Sequence, residues 1–375
     1  MLLAGYLLLA GCPHDFNRVP QDAAASDMAF DVARPDLAPA EDTPVPDAWV
    51  QLDVVPTPDA GCPLPCVTTL QGSFKYPRGV AVGSGGEVYI AATGTHEIMI
   101  YTNGSASPFA GTGKSSCVDS VDSVDPLLAK FSEPSGLTLD STGTIYVADH
   151  SCNKIRFISG GSVGTLAGMA GGGIAWQDGP AAQAHFYGPR GVAVDSSGTV
   201  YVADSGNNRI RTVANDVVGT LAGDGFGGFA DGDVAVARFN SPTGVAVDSA
   251  GAVYVADSSN ARIRMVKNGI VTTLAGGPEG YIDGPALNAQ FNSPTDVAVD
   301  SAGTVYVADS GNNRIRVIKG GMVDTLAGDG APALKDGAGA TASFNYPYGL
   351  ALDGSGTLLY VADYENDKIR VIQLK

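Results

Sequence analysis

Two runs, Gly191-Val192-Ala193-Val194-Asp195 and Val200-Tyr201-Val202-Ala203-Asp204, decide the fold of this chain. Both are nearly continuous in apolar residues, where a half-exposed strand would alternate with polar ones. A strand of that kind is buried on both faces of its sheet. Between them, Ser196-Ser197-Gly198 reads as a tight hairpin in which Gly supplies a positive φ. Asp204-Ser205-Gly206-Asn207-Asn208-Arg209-Ile210-Arg211 then leads into a third strand. A fourth completes the unit, as Val271-Thr272-Thr273-Leu274-Ala275-Gly276 does in a later copy.

The same order of elements returns along the chain. An aromatic anchor recurs at Phe74, Phe131, Phe186, Phe239, Phe291 and Phe344, spaced 57, 55, 53, 52 and 53 residues apart. Each anchor opens the pattern Phe-x-x-Pro-x-Gly-Val-Ala-Val-Asp, a Gly turn, Val-Tyr-Val-Ala-Asp, then x-x-Asn-x-x-Ile-Arg. Four strands in about fifty residues, covered on both faces, match a β-propeller blade. Six anchors predict an all-β, six-bladed propeller of four-stranded antiparallel blades. The last copy stops at Ile369-Arg370-Val371-Ile372 with only three strands, while Cys66-Val67-Thr68-Thr69-Leu70-Gln71-Gly72 repeats the outer one. The N-terminal strand is therefore expected to complete the final blade and leave no open edge. Composition agrees: 375 residues with 50 glycines and 44% hydrophobic residues suit short strands and tight turns around a large core.

The runs Asp204-Ser205-Gly206-Asn207-Asn208-Arg209-Ile210-Arg211 and Asp309-Ser310-Gly311-Asn312-Asn313-Arg314-Ile315-Arg316 resemble the NHL-repeat signature. The resemblance covers nearly all of residues 66–375. It implies a propeller whose relatives are mostly binding platforms, with lyases or lactonase-like enzymes among them. The spacer over residues 221–239 is similar to a variant found in extracellular NHL proteins. Fold likeness alone does not assign function.

The chain begins Met1-Leu2-Leu3-Ala4-Gly5-Tyr6-Leu7-Leu8-Leu9-Ala10-Gly11-Cys12, an apolar core too short to span a bilayer. Leu9-Ala10-Gly11-Cys12 resembles the bacterial lipobox, which implies removal of residues 1–11 and lipidation of Cys12. No basic residue precedes the apolar run, which leaves room for a start upstream of Met1. Pro13, where Asp would signal inner-membrane retention, favours the outer membrane over the inner. Residues 12–61 form an acidic Pro/Ala/Asp-rich segment, with ten acids from Asp15 to Asp59 against Arg18 and Arg34, a net of −8. Such a composition predicts an unfolded tether, with the propeller following over residues 62–375. The whole-chain charge of −17 repels a phosphate backbone and excludes nucleic acid as partner.

Export makes disulfides durable. Cys117, in the loop entering the second blade, and Cys152, in the loop between that blade's second and third strands, fall on one face and are expected to pair. Cys62 and Cys66, in Cys-Pro-Leu-Pro-Cys, are expected to pair locally.

Most polar motifs read as scaffolding. Asp149, Asp204, Asp257, Asp309 and Asp363, with Arg156, Arg211, Arg264, Arg316 and Arg370, recur in nearly every blade, so Asp–Arg pairing across strands is expected in place of a metal ring. Asp178-Gly179, Asp231-Gly232, Asp283-Gly284 and Asp336-Gly337 lack the alternate oxygen ligands of a calcium loop. Each Asp there is expected to cap a short helical turn whose Ala and Phe plug between blades. His14, His96, His150 and His185 do not share a blade position, so no zinc site is expected, and no cofactor is called for.

A site should lie where the repeat breaks. The slot after each blade's Pro reads Arg78, Ser135, Arg190, Thr243, Thr295 and Tyr348, and Asp296 replaces the usual Gly in blade 5. Blade 1 is irregular too, with Gly83, Ala92, Thr95 and Met99 at repeat positions. Arg78, Arg190, Asp296 and Tyr348 are expected to ring one mouth of the channel and hold a small anionic or polar ligand. The function expected is a monomeric, non-catalytic binding or scaffolding module, tethered to the bacterial envelope by its lipid, for a protein or small-molecule ligand. The alternative is a lactonase- or lyase-like enzyme acting at the central channel.

Overall fold

The computed structural model describes residues 61–120, 124–169 and 176–375. The leader, Cys12 and all but the last residue of the expected tether fall outside them. Six antiparallel sheets follow one another as blades, each built from the innermost strand outward. The innermost strands are Pro77–Val82, Pro134–Leu139, Pro189–Val194, Pro242–Val247, Pro294–Val299 and Pro347–Leu352. Blades 1 and 2 have four strands, and in blades 3 to 6 a two-residue strand from the preceding spacer adds to the outer edge. Among the described residues the only helical elements are three-residue 3₁₀ turns.

Closure follows the sequence expectation. Cys66–Thr69 lies antiparallel to Lys368–Gln373, with Val67 opposite Ile372 and Thr69 opposite Arg370. The first and last described strands thus share blade 6, which closes the ring and leaves only the outer edge of each blade unpaired.

Each blade is pinned by one buried unit. The anchor Phe is at most 1% exposed in all six. In blades 2 to 6 a fully buried Arg lies over its ring, from 4.9 Å for Arg370 on Phe344 to 5.2 Å for Arg264 on Phe239. That Arg pairs with the Asp ending the second strand, at 2.8 Å for Arg156–Asp149 and 2.6 Å for Arg264–Asp257, both partners fully buried. The same Asp accepts the N–H of the residue after the Phe, as Asp257 does from Asn240 at 2.8 Å. Burial pushes the Asp149 carboxyl up to about 6 against the pull of Arg156. Blade 1 dispenses with the pair: Ala92 and Met99 stand in its place, with Met99 opposite Ile90.

The Asp-Gly pairs differ from expectation. Asp178, Asp231, Asp283 and Asp336 cap no helix. Each carboxylate grips the second edge of the blade's buried Arg, as Asp231 does Arg264, and also accepts from an outer-strand Thr, as Asp231 does from Thr273 at 2.9 Å. A guanidinium with five donors needs two acceptor sides when buried, and the spacer supplies the second. The plug is as expected: Ala184, Ala237, Ala289 and Ala342 are fully buried beside their Phe.

Both disulfides are present, Cys62–Cys66 and Cys117–Cys152. Glycines at the start of the innermost strands let the blades meet around the channel. A Cβ on Gly191 would run into the Thr243 carbonyl oxygen of the next blade, and one on Gly349 into that of Arg78.

Candidate functional site at the channel mouth

The innermost strands all start on the face that carries the loops between second and third strands and the inter-blade spacers. They line a channel of about 310 Å³ whose wall includes Arg78, Ser135, Arg190, Asp296 and Tyr348. The structure therefore brings all four expected residues to one cavity.

Three of them form a direct cluster. Arg190 donates from Nη1 to the Tyr348 hydroxyl at 2.9 Å across the channel. The Arg78 guanidinium lies 5.6 Å from the centre of the Tyr348 ring and 5.5 Å from that of Tyr364. Neither Arg78 nor Arg190 pairs with a carboxylate among the described residues. Between them in the ring stands Ser135, 1% exposed, whose Oγ has no hydrogen-bond partner, and the Nε of Arg78 is likewise buried without one.

Asp296 is separate in its bonding. One carboxylate oxygen accepts the Leu350 N–H of blade 6 and the other the Val297 N–H, both at 2.9 Å. It has no cationic partner, and burial pushes its pKa up to about 7 against these two amide bonds.

Five further residues reach the same mouth. Tyr364 packs against Tyr76 at 5.2 Å, Tyr348 at 5.9 Å and Tyr346 at 6.2 Å between ring centres. His150 lies near both arginines: burial first, then the charges of Arg190 and Arg78, hold its pKa down to about 4, so the ring is neutral at physiological pH. Glu133 sits 3.6 Å from His150 and accepts from Ser151 at 2.9 Å, while its own N–H donates to His96 Nδ1 at 3.1 Å.

These residues follow the repeat's own logic. The slot after the second strand is a hydroxyl in blades 1, 3, 4 and 5, and Thr93, Ser205 and Ser310 donate to the next blade's Pro134, Pro242 and Pro347 carbonyls. In blades 2 and 6 that slot holds His150 and Tyr364. The residue before each innermost Pro takes a left-handed φ, 48° at Tyr76, 53° at Glu133, 50° at Ser241 and 55° at Tyr346. Blades 4 and 5 carry only small hydroxyl residues at all three slots, and Thr243 and Thr295 spend theirs on neighbouring carbonyls. The mouth is thus divided into a plain arc over blades 4 and 5 and a decorated arc over blades 6, 1, 2 and 3. Among the described residues no group of three or more His, Cys, Asp or Glu is placed to hold a metal ion.

The NHL repeat family matches residues 131–154, 186–212, 239–264 and 291–318, the first two strands of blades 2 to 5 and the start of the third. Among curated proteins, NHL repeat-containing protein 2 of Bos taurus is 31% identical over 328 residues, covering 76% of this chain and 44% of that protein. The chain spans less than half the length of the curated relatives of that name it matches. Among solved structures, an auxiliary nutrient binding protein from Bacteroides thetaiotaomicron superposes with a TM-score of 0.60 at 14% identity, over 82% of this chain and 75% of that one. Virginiamycin B lyase from Staphylococcus aureus does so with a TM-score of 0.52 at 16% identity, over 82% of this chain and 98% of that one. At such identities these likenesses concern the fold: the chain is a six-bladed propeller in which blades 2 to 5 carry matches to the NHL repeat.

Proposed function

We propose that this chain is a non-catalytic binding module, an envelope lipoprotein held by Cys12 and the acidic tether, whose ligand enters the decorated arc of the channel mouth. The observation that carries the reading is the concentration of the repeat's departures on one arc. Arg78, Arg190, Tyr348, Tyr364 and His150 converge there, while the equivalent slots of blades 4 and 5 serve only to bind blade to blade. Packing explains the plain arc and does not explain the decorated one, where guanidinium donors stand without carboxylates. The name of the nutrient binding protein above supports a ligand-binding use of this shape, and the lipid anchor rests on Leu9-Ala10-Gly11-Cys12.

Native mass spectrometry of the whole protein incubated with a bacterial metabolite extract tests the reading. A bound small molecule is expected, recovered chemically unchanged and lost when Tyr364→Ala and Tyr348→Ala are introduced together. Capture that survives both changes, or conversion of the ligand during incubation, overturns it.

A further inference from the structure

We infer that the decorated arc is an oxyanion site, built to take the carboxylate or phosphate group of a small organic molecule between Arg78 and Arg190, with the tyrosine cluster against the body of that molecule. This rests on the mouth being the binding site and adds the chemistry of what binds.

Three features of successive strands point the same way. Arg78, Ser135 and Arg190 occupy one slot on blades 1, 2 and 3. Their strands are in close contact: Gly79, beside Arg78, faces the Ser135 carbonyl, and Gly136, beside Ser135, faces that of Arg190. All three side chains are donors. Single buried atoms lack a partner elsewhere too, Arg156 Nε, Arg314 Nε and Thr112 Oγ1 among them, but the five repeat arginines each have a buried carboxylate at 2.6 to 2.8 Å, which neither Arg78 nor Arg190 has. Here Arg78 Nε and Ser135 Oγ have no partner. Leaving such groups unsatisfied forfeits the bonds they made with water in the unfolded chain, and an incoming oxyanion restores them. Thr at the same slot in blades 4 and 5 reaches the next blade's carbonyl, with Thr295 Oγ1 2.7 Å from the Tyr348 oxygen.

Charge sharpens the assignment. The protein as a whole carries −17, so two unpaired guanidiniums at the channel mouth are a local reversal of sign. Asp296 opposes an anion only from the far side of the ring, in blade 5, where two amides already hold it. Glu133 accepts from Ser151 and keeps its charge, which acts on Arg190 and His150 without pairing with either arginine. His150 is neutral near pH 7 and so adds a polar wall and not a third positive charge. The tyrosines offer flat faces, and the volume of about 310 Å³ lies at the small end of ligand pockets, which suits a metabolite better than a folded partner.

The test titrates the whole protein by calorimetry with inorganic phosphate, benzoate and, as a neutral probe, glucose. Phosphate and benzoate are expected to bind, more weakly as salt rises, and glucose is not. Arg78→Gln and Arg190→Gln are each expected to weaken both anions at least about tenfold, the effect of losing a charge-assisted bond. Arg238→Gln, which breaks a surface pair with Asp224 and a contact with the Phe226 ring, leaves binding unchanged. Tyr364→Ala is expected to weaken benzoate more than phosphate. Thermal unfolding confirms that each variant is folded, and Arg78→Lys replaces Arg78→Gln if that one is not. Failure of both anions to bind, or equal binding by Arg190→Gln, overturns the oxyanion assignment. If glucose binds instead and depends on Tyr364, the mouth is still a binding site and only the oxyanion assignment falls; if no molecule from probe or extract binds, both fall.

Discussion

Replacing Asp296 by Asn is expected to stabilise the protein at pH 8 and to do almost nothing at pH 4. Asp296 stands where five of the six innermost strands have Gly, and its carboxylate meets two backbone amides and no cation. Burial raises its pKa from 3.8 to about 7. A raised acid pKa means that the native state binds the proton more tightly than the unfolded chain does. Stability from this group is therefore complete below about pH 4 and is lost as pH rises through about 7. The full shift corresponds to at most about 4 kcal/mol above pH 7. Because the side chain borders the channel and its water, the realised value should be smaller. Asn, like the protonated acid, keeps one good acceptor for the Leu350 N–H and gives up the second, so the two are close to equal at pH 4. A net gain of about 2 kcal/mol at pH 8 is expected.

Thermal unfolding of both proteins at pH 4, 6 and 8 reads this directly. Comparing variant with wild type at each pH cancels every other titrating group, including His150, whose depressed pKa makes the fold less stable as pH falls from about 6.5 toward 4. The advantage of Asp296→Asn should grow steadily from pH 4 to pH 8. An advantage independent of pH, or one that shrinks as pH rises, would show that Asp296 is not held against its charge.

Three further outcomes follow from the blades. Asp257→Ala should cost about 3 kcal/mol in urea unfolding, because it leaves one edge of Arg264 and the Asn240 N–H without an acceptor while Asp231 still holds the other edge, whereas Asp257→Ala with Arg264→Met, copying Ala92 and Met99 of blade 1, should recover most of that loss. Removing Cys117–Cys152 by the double Ser variant should cost about 3–4 kcal/mol, the closure entropy of a 35-residue separation, and reducing the wild type should lower its melting temperature similarly. Gly349→Ala should cost at least about 3 kcal/mol, because the clashing atom is the Arg78 backbone oxygen and not a side chain able to turn away.

The fold could be read almost whole because repetition tests itself: each blade is a trial of the same strand pattern, and six agreements are hard to reach by accident. The closing strand was readable for the same reason, since Cys66–Thr69 is a fourth strand displaced to the other end of the chain. The Asp-Gly pairs were misread because their partner is distant. Asp231 bonds Arg264, 33 residues later, and nothing local distinguishes that from a turn cap. The site was half readable. Comparing residues at the slot after Pro found Arg78, Arg190 and Tyr348. His150, Tyr364, Tyr76 and Tyr346 lie at two other slots, which join the first only once the left-handed residue before Pro and the 3₁₀ turn after the second strand are placed on the same face. The same comparison, applied to those two columns, shows His150 and Tyr364 among hydroxyl residues and needs no structure to do so.

The position of the decorated arc has a mechanical consequence. It spans blades 6 and 1, the junction where the ring is closed by Cys66–Thr69 on Lys368–Gln373 and not by continuous chain within one blade. Across that junction Gly349 meets the Arg78 backbone, and Arg78 reaches over the rings of Tyr348 and Tyr364. In the plain arc, blade-to-blade contact is made by hydroxyls on carbonyls, which bind strongly and leave nothing to offer a ligand. At the junction those bonds are replaced by Tyr364 and by an Arg over aromatic rings, contacts that leave the Arg78 guanidinium without a carboxylate. A ligand held by Arg78, Arg190 and Tyr348 joins blades 1, 3 and 6 at once and so resists opening of the ring there. By mass action it should stabilise the fold by about 2.7 kcal/mol at a hundred times its Kd. Hydrogen exchange should register that gain first in the amides of Cys66–Thr69, the strand whose release opens the ring.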